Sequence, residues 1–319
     1  MILTLTANPS LDRSLELSGP LVPGAVHRIA HEHTQLGGKG INVARAVHAA
    51  GVATCAIVPV AATDPFAALL ERTGLPHRAV PITGTVRTNL TLTSAGITTK
   101  LNEEGPLVSA AESAQLEQLV LDEAGRDSGT TVLLSGSLAP GLDEDLYVRL
   151  IEQLRRRGAW VGADTSGAPL ARLAAALPGI APDFLKPNAH ELGEILGLSG
   201  DRLEADAGRG DLRTVREAAE RLRDLGVGEV LVTLGGAGAL LTTGEGCWYL
   251  HSPETVVRST VGAGDAATAG YLIARAQGDP PAARLARAVA YGTTAVALPG
   301  TAIPAPDQVR IDPDAARRL

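Results

Sequence analysis

In the stretch STVGAGDAATAGYL, Ser259 to Leu272, a single carboxylate, Asp265, follows Gly262, Ala263 and Gly264 and leads into helix-favouring residues. The small residues leave main-chain N–H groups unobstructed where a helix begins, which makes an anion site. The positive end of the helix dipole biases a carboxylate there toward its ionised form, and the free amides can cradle a transferring phosphoryl group. Asp265 can then accept a proton from an attacking hydroxyl, a role worth roughly 10²–10⁴ in rate. The same residue also suits a helix cap, and the loop by itself does not separate the two readings.

Other nucleotide motifs fit less well. GAGDAA matches G-x-G-x-x-A of dinucleotide-binding folds, but QGDPPAARLARAVAYG reads as turn and helix where a strand ending in an acid is required. LGGKG, Leu36 to Gly40, supplies Lys39 but lacks the spacing and the following Ser or Thr of a Walker A loop. Neither a dehydrogenase of the Rossmann type nor a P-loop enzyme is supported.

The elements that must position these residues alternate. MILTLTANP reads as a buried strand stopped by Asn8 and Pro9, GINVARAVHAAG as a helix ending at Gly51, and ATCAIVPVA as a second strand. Apolar runs recur in GTTVLLSGSLAPG, GAWVGADTSG, DFLKPNAHELGEILG and GEVLVTLGGAGALLTT, with helical stretches such as EDLYVRLIEQLRRRG between them. Continuous apolar strands alternating with helices predict an α/β fold, a mostly parallel sheet flanked by helices on both faces. Ligands in such folds gather at the carboxyl ends of the strands. ETVVRSTV, just before the glycine loop, reads as a further short strand. Two segments, at about 11–34 and 85–101, instead alternate polar and apolar residues, the second with a turn at Ser94, Ala95 and Gly96. They predict a small separate sheet with one side over a site.

The chain has 319 residues, of which 45% are hydrophobic and 20% charged, enough apolar material for one large α/β domain over 1–319. A net charge of −7 without a basic block argues against nucleic-acid and anionic-membrane surfaces. Cys55 and Cys247 stand far apart with no Cys/His cluster, so buried free thiols are expected rather than a disulfide framework or zinc site. No uncharged run reaches the roughly 18 residues of a membrane span, and a cytoplasmic protein is expected.

Two separated signatures, GGKGINVARA (Gly37 to Ala46) and STVGAGDAATAGYL, resemble those of the ribokinase-like, PfkB-type carbohydrate kinases. SGSLAPG, DTSG, KPNAHE and VTLGGAGAL lie between them in the order of that family, so the resemblance spans nearly the whole chain. It implies a ribokinase-like fold with a small β-sheet lid, MgATP as phosphoryl donor and a sugar acceptor. ANPSLD, VRTNLTL and TKLNEEG are most similar to the branch acting on phosphorylated ketohexoses, with fructose 1-phosphate favoured. Tagatose 6-phosphate, fructose 6-phosphate and a non-catalytic sugar or nucleotide sensor stay open. The departures are Ser259 where the family often has Asp, Ala266 where it often has Ser, and Ala139 in a place commonly held by proline.

Carried over by position, the resemblance implies that Asp265, Gly262, Ala263 and Gly264 form the catalytic loop. It implies that Asp12, Gly37, Gly38, Lys39, Asn42 and Ser137 line the sugar pocket; Ser10 and Asp12 also suit a turn after Pro9. The cations beside the lid segments, Arg28, Lys39, Arg87 and Lys100, are candidates for a sugar phosphate, each of which alone also reads as a surface charge. On the nucleotide side it implies Lys186, Asn188, Thr233, Gly235, Gly236, Gly238 and Gly264, with Glu191 organising magnesium through water; TLGGAGA also reads as a glycine hairpin. A homodimer through the lid sheet is consistent with a half-apolar exposed sheet face.

Overall fold

The computed structural model describes residues 1–126 and 129–319. From the N-terminus the chain forms β1 (Ile2–Thr6), β2 (Ser10–Leu17), β3 (Ile29–Gly37), α1 (Lys39–Ala49), β4 (Thr54–Pro59), α2 (Pro65–Arg72), β5 (His77–Val80), β6 (Arg87–Ser94) and β7 (Ile97–Asn102). The middle third holds α3 (Ala110–Ala124), β8 (Thr131–Ser135), α4 (Leu146–Arg156), β9 (Trp160–Asp164), α5 (Ala168–Ala176), β10 (Phe184–Leu185), α6 (Ala189–Leu196) and α7 (Gly200–Gly208). The last part holds α8 (Arg213–Asp224), β11 (Glu229–Thr233), β12 (Ala239–Thr243), β13 (Gly246–Leu250), α9 (Ala263–Ala276), α10 (Pro281–Val296) and β14 (Arg317–Arg318).

Ten strands form the main sheet in the order β14-β13-β12-β11-β10-β9-β8-β1-β4-β5. The run from β5 to β11 is parallel, and β12 to β14 add antiparallel edges. Apolar strands are required here because both faces are covered. In β8, Val132 and Leu134 pack into a core with α3 to α8, while Leu133 between them packs into a second core with α1, α9 and α10. Gly270 lets the last two helices touch closely, since a Cβ there would stand 2.6 Å from the Arg287 carbonyl oxygen. The chain leaves β1 toward β4 on one side and later returns to β8 on the other, so a crevice opens at the carboxyl ends of β1 and β8.

The small sheet has the order β3-β2-β6-β7, with Ala95 and Gly96 at positive φ in the β6–β7 turn. Register places three rows of polar side chains on one face: Gln35, Asp12, Asn89 and Asn102; His33, Ser14, Thr91 and Lys100; His31, Glu16, Thr93 and Thr98. The alternation read from the sequence is therefore the alternation of a sheet with one polar face, and Leu90, Leu92, Ile97 and Leu101 fall on the other. ETVVRSTV is not a strand. Its Arg258 and Ser259 amides donate to the Val296 carbonyl at the end of α10, 2.9 and 3.2 Å away, so local β propensity loses to a helix terminus. Both cysteines are free and buried. Among the described residues no helix is long and apolar enough to cross a membrane.

Candidate active site

The crevice collects the strand ends: Asn8 after β1, Ser137 after β8, Asp164 ending β9, Lys186 after β10 and Thr233 ending β11. Two helix N-termini converge on it. Gly38 precedes α1 and Gly262 precedes α9, and neither start carries a side-chain cap. Both glycines have positive φ, 109° and 80°, and a Cβ on Gly38 would stand 2.6 Å from the Thr6 methyl. The amides at both starts therefore remain free for an anion.

Asp265 sits in the first turn of α9 and is buried. Its Oδ2 accepts from Asn42 Nδ2 at 2.8 Å, across from α1, so the carboxylate does not cap its own helix. Burial pushes its pKa up; Lys39 opposes this, Asp164 adds to it, and the Asn42 bond and Lys186 oppose it. Lys39 Nζ lies 2.7 Å from Asp164 Oδ1, and Lys186 Nζ 3.3 Å from Asp164 Oδ2. Burial works against the Lys39 ammonium, but the carboxylates of Asp164, Asp265 and Glu191 outweigh it and hold the group above its ordinary range. Lys186 also reaches the glycine loop, its Nζ 3.4 Å from where a Gly264 Cβ would be. Gly262, Ala263, Gly264, Asp265, Lys39, Asn42 and Lys186 thus meet in one place.

Asp12, in the first polar row of the small sheet, accepts from Ser10 Oγ at 2.8 Å and Asn89 Nδ2 at 3.1 Å through one oxygen. Burial raises its pKa, offset in part by those bonds and by Arg87. Gly37 is required beside it, because a Cβ there would overlap the Asp12 carboxyl at 2.4 Å. All three polar rows line a cavity of about 990 Å³, closed on the other side by residues 257–261 and 299–301. Gln35 Nε2 donates to Thr301 Oγ1 across it, and Thr301 lies 3.8 Å from where a Gly262 Cβ would be, so the cavity adjoins the glycine loop.

The sequence-derived cations divide. Arg87 donates to the carbonyls of Asn8 and Glu103, both at 3.3 Å, at the edge of the Asp12 group. Lys100 is exposed in the second row of the cavity. Ser137 stands 3.5 Å from Asn8 Nδ2 at the crevice. Arg28 is not brought to the site. It is exposed and precedes Ile29, which pairs with Leu17 at the end of β2 opposite Asp12.

On the other side, Asn188 and Glu191 form a reciprocal capping box at the start of α6, each bond 2.8 Å. Asn188 is tied by a bridge to Thr233, which leads into a 3₁₀ turn at Gly235–Ala237. The hairpin reading of TLGGAGA is right as far as topology goes, since β11 and β12 pair antiparallel around that turn. A Cβ on Gly238 would stand 2.0 Å from the Leu250 carbonyl oxygen, whereas Gly236 faces open space.

A sequence profile for the pfkB family carbohydrate kinases matches residues 8–308. The chain belongs to that family. It is a sugar kinase, a phosphotransferase with an alcohol acceptor, and ATP is a substrate of the family's reaction. A 1-phosphofructokinase of Xanthomonas campestris pv. campestris is 36% identical over 280 residues, 85% of this chain and 83% of the relative. The crystal structure of phosphofructokinase-2 from Escherichia coli in complex with potassium superposes with a TM-score of 0.84, at 28% identity and 96% coverage of each chain. A ribokinase from Thermotoga maritima shares the fold, with a TM-score of 0.72, 19% identity and 97% coverage of each chain. The ribokinase-like fold expected from the two signatures is the one this kinase has.

Sequence reasoning gave no role to three residues of this site: Asp164 and Asn89, although they lie in the DTSG and VRTNLTL motifs, and Thr301, which lies in none. Asp164 had the best clue available, an acid ending an apolar strand at the ligand-binding edge of a parallel sheet.

Proposed function

We propose that this kinase transfers the γ-phosphoryl group of ATP to the free primary hydroxyl of a ketohexose phosphate, with fructose 1-phosphate as first choice and fructose 1,6-bisphosphate as product. The observation that carries it is the Asp265 carboxylate, held through one oxygen by Asn42 beside an uncapped helix N-terminus and two lysines. Asp265 takes the proton of the attacking hydroxyl through its other oxygen, and the amides around Gly262 to Asp265 receive the charge of the migrating group. Lys39 and Lys186 add compact positive charge on either side. Asp12 and Asn89 orient sugar hydroxyls, and a sugar lacking the matching hydroxyl leaves them unpaired. Arg87 and Lys100 are assigned to the sugar phosphate, and Thr233 with the turn at Gly235, Gly236 and Gly238 to ATP. The polar face of the small sheet covers the acceptor and keeps water, a competing acceptor, out.

Magnesium fits the residues present. Both oxygens of Asp164 are held by lysines, whereas Glu191 spends Oε2 on its cap and has Oε1 left for a hard cation that keeps most of its waters. When bound there it would neutralise charge on the donor phosphates.

The choice of fructose 1-phosphate is supported by the 1-phosphofructokinase relative and by TKLNEEG. An ADP-release assay with fructose 1-phosphate, fructose 6-phosphate, tagatose 6-phosphate, ribose and adenosine tests it. The highest kcat/KM is expected for the first, and a higher value for either 6-phosphate reassigns the acceptor. The apolar outer face of the small sheet, with Ile97 70% and Leu101 56% exposed, is assigned to a second copy of this chain. Sedimentation of the wild type should give a dimer, and Leu101→Lys a monomer; a monomeric wild type removes this assignment.

A further inference from the structure

Asp164 is fully buried (0%) at the end of β9, and its two oxygens are divided among three elements. Oδ1 binds Lys39 from the start of α1, while Oδ2 takes Lys186 from the end of β10 and accepts from Thr268 Oγ1 of α9 at 3.0 Å. Thr268 Oγ1 lies equally 3.0 Å from the carbonyl of Gly264 in the glycine loop. Lys186 is 3% exposed and Lys39 29%, so the Lys186 ammonium has little water to replace a lost partner, whereas the Lys39 ammonium faces the crevice. Two ammoniums on the two oxygens of one carboxylate stand apart by about the width of that carboxylate plus their own bonds. Lys186 Nζ also stands 3.4 Å from where a Gly264 Cβ would be, and Lys39 interacts with the Asp265 charge, so both ammoniums are held beside the first turn of α9.

We propose that Asp164 is a positioning residue: it touches neither substrate, but fixes Lys39 and Lys186 as a pair at the glycine loop, with Thr268 tying the carboxylate to the helix that this loop begins. The inference rests on the phosphoryl-transfer reading of the site. It adds a division of labour between two buried acids, one accepting the proton and the other holding the cations. Without Asp164 the lysines repel each other, and Lys39 is free to turn onto Asp265.

The test is a double-mutant cycle on kcat with the full-length enzyme at saturating ATP and sugar phosphate. Asp164→Asn is expected to lower kcat about 100-fold with the sugar KM within a few-fold of the parent. Lys39→Gln and Lys186→Gln should each lower kcat, and each double variant with Asp164→Asn should be little worse than its lysine single variant, because the aspartate acts through the lysine. Losses that multiply in both doubles would show a merely structural role and overturn the proposal. Recovery of Asp164→Asn by raised Mg²⁺ would assign the carboxylate to the cation and overturn it as well. If Asp164→Asn lacks the circular dichroism of the parent, Thr268→Val replaces it in the same cycle, with a several-fold loss of kcat and the same non-additivity expected. Full activity of both lysine variants together with Asp265→Asn would instead sink the phosphoryl-transfer reading itself, which separates the two failures.

Discussion

Replacing Asp265 by Asn exchanges one carboxylate oxygen for an NH₂ group and changes almost nothing in volume. The Asn42 amide that now donates to Oδ2 at 2.8 Å can donate to the carbonyl oxygen of the introduced amide, so the side chain keeps its orientation. Lys39 and Lys186 keep their partner in Asp164, and the amides at Gly262 to Gly264 stay free. What is lost is the group proposed to take the hydroxyl proton. General-base removal costs roughly 10²–10⁴ in rate, about 3–5 kcal/mol of barrier. The expected result is a kcat lower by that factor with the KM for ATP and for the sugar within a few-fold, because the anion cradle is intact. ADP release at saturating substrates gives kcat, and titration calorimetry with ATP gives binding. Turnover near the parent rate in a folded Asp265→Asn enzyme would refute the base assignment, and loss of ATP binding would mean that the carboxylate organises the nucleotide instead.

Gly37→Ala puts a methyl group 2.4 Å from the Asp12 carboxyl, so the sugar KM should rise tenfold or more while the ATP KM holds, which steady-state kinetics will show. Gly270→Ala drives a Cβ to 2.6 Å from the Arg287 carbonyl and should destabilise the chain by about 1–3 kcal/mol, read as a lower urea midpoint with an unchanged slope. Burial, against the pull of Lys39, holds Asp265 above the ordinary 3.8 in the free enzyme, so the acid limb of the kcat/KM profile should lie above that value, with activity falling as pH drops through it. Since the native value exceeds the unfolded one, the same group favours folding only below pH 3.8 and loses that contribution as pH rises; Asp265→Asn should therefore melt higher than the parent at pH 7, and an equal or lower Tm would contradict the raised value.

The main sheet was legible because strands covered on both faces are apolar along most of their length, and runs such as TVLLS and WVGAD show that, with polar residues only at their ends. The small sheet was legible from the opposite signal, alternation, and its rows follow from period two. ETVVRSTV misled because β-branched residues favour strands, whereas its hydrogen bonds go to the end of α10. The glycine loop announced its position but not whether Asp265 caps its helix; that is decided by Asn42, 223 residues away. Arg28 and Arg87 look alike as cations in the sequence, and only strand register puts one beside Asp12 and the other at the opposite end of β2. Asp164 gains its place from α1, β10 and α9 together, and no local pattern encodes a meeting of three elements.

Two buried carboxylates of one centre are driven in opposite directions, and the cause is the number of cations each touches. Asp164 suffers the same desolvation as Asp265, but Lys186 and Lys39, with bonds from Lys39 and Thr268, bring it below the usual carboxylate range. Asp265 has one amide bond and feels the lysines only at a distance, so burial prevails and it is raised. An anion locked among cations is a poor proton acceptor, while a partly starved one is a good acceptor, and this separation supports the roles proposed for Asp164 and Asp265. The division also explains why a second acid is needed at all. If Lys39 and Lys186 had only Asp265 to pair with, they would stabilise its ionised form and blunt it as a base. Asp164 draws them off, leaving the four charges balanced and the proposed proton acceptor, Asp265, without a direct lysine partner.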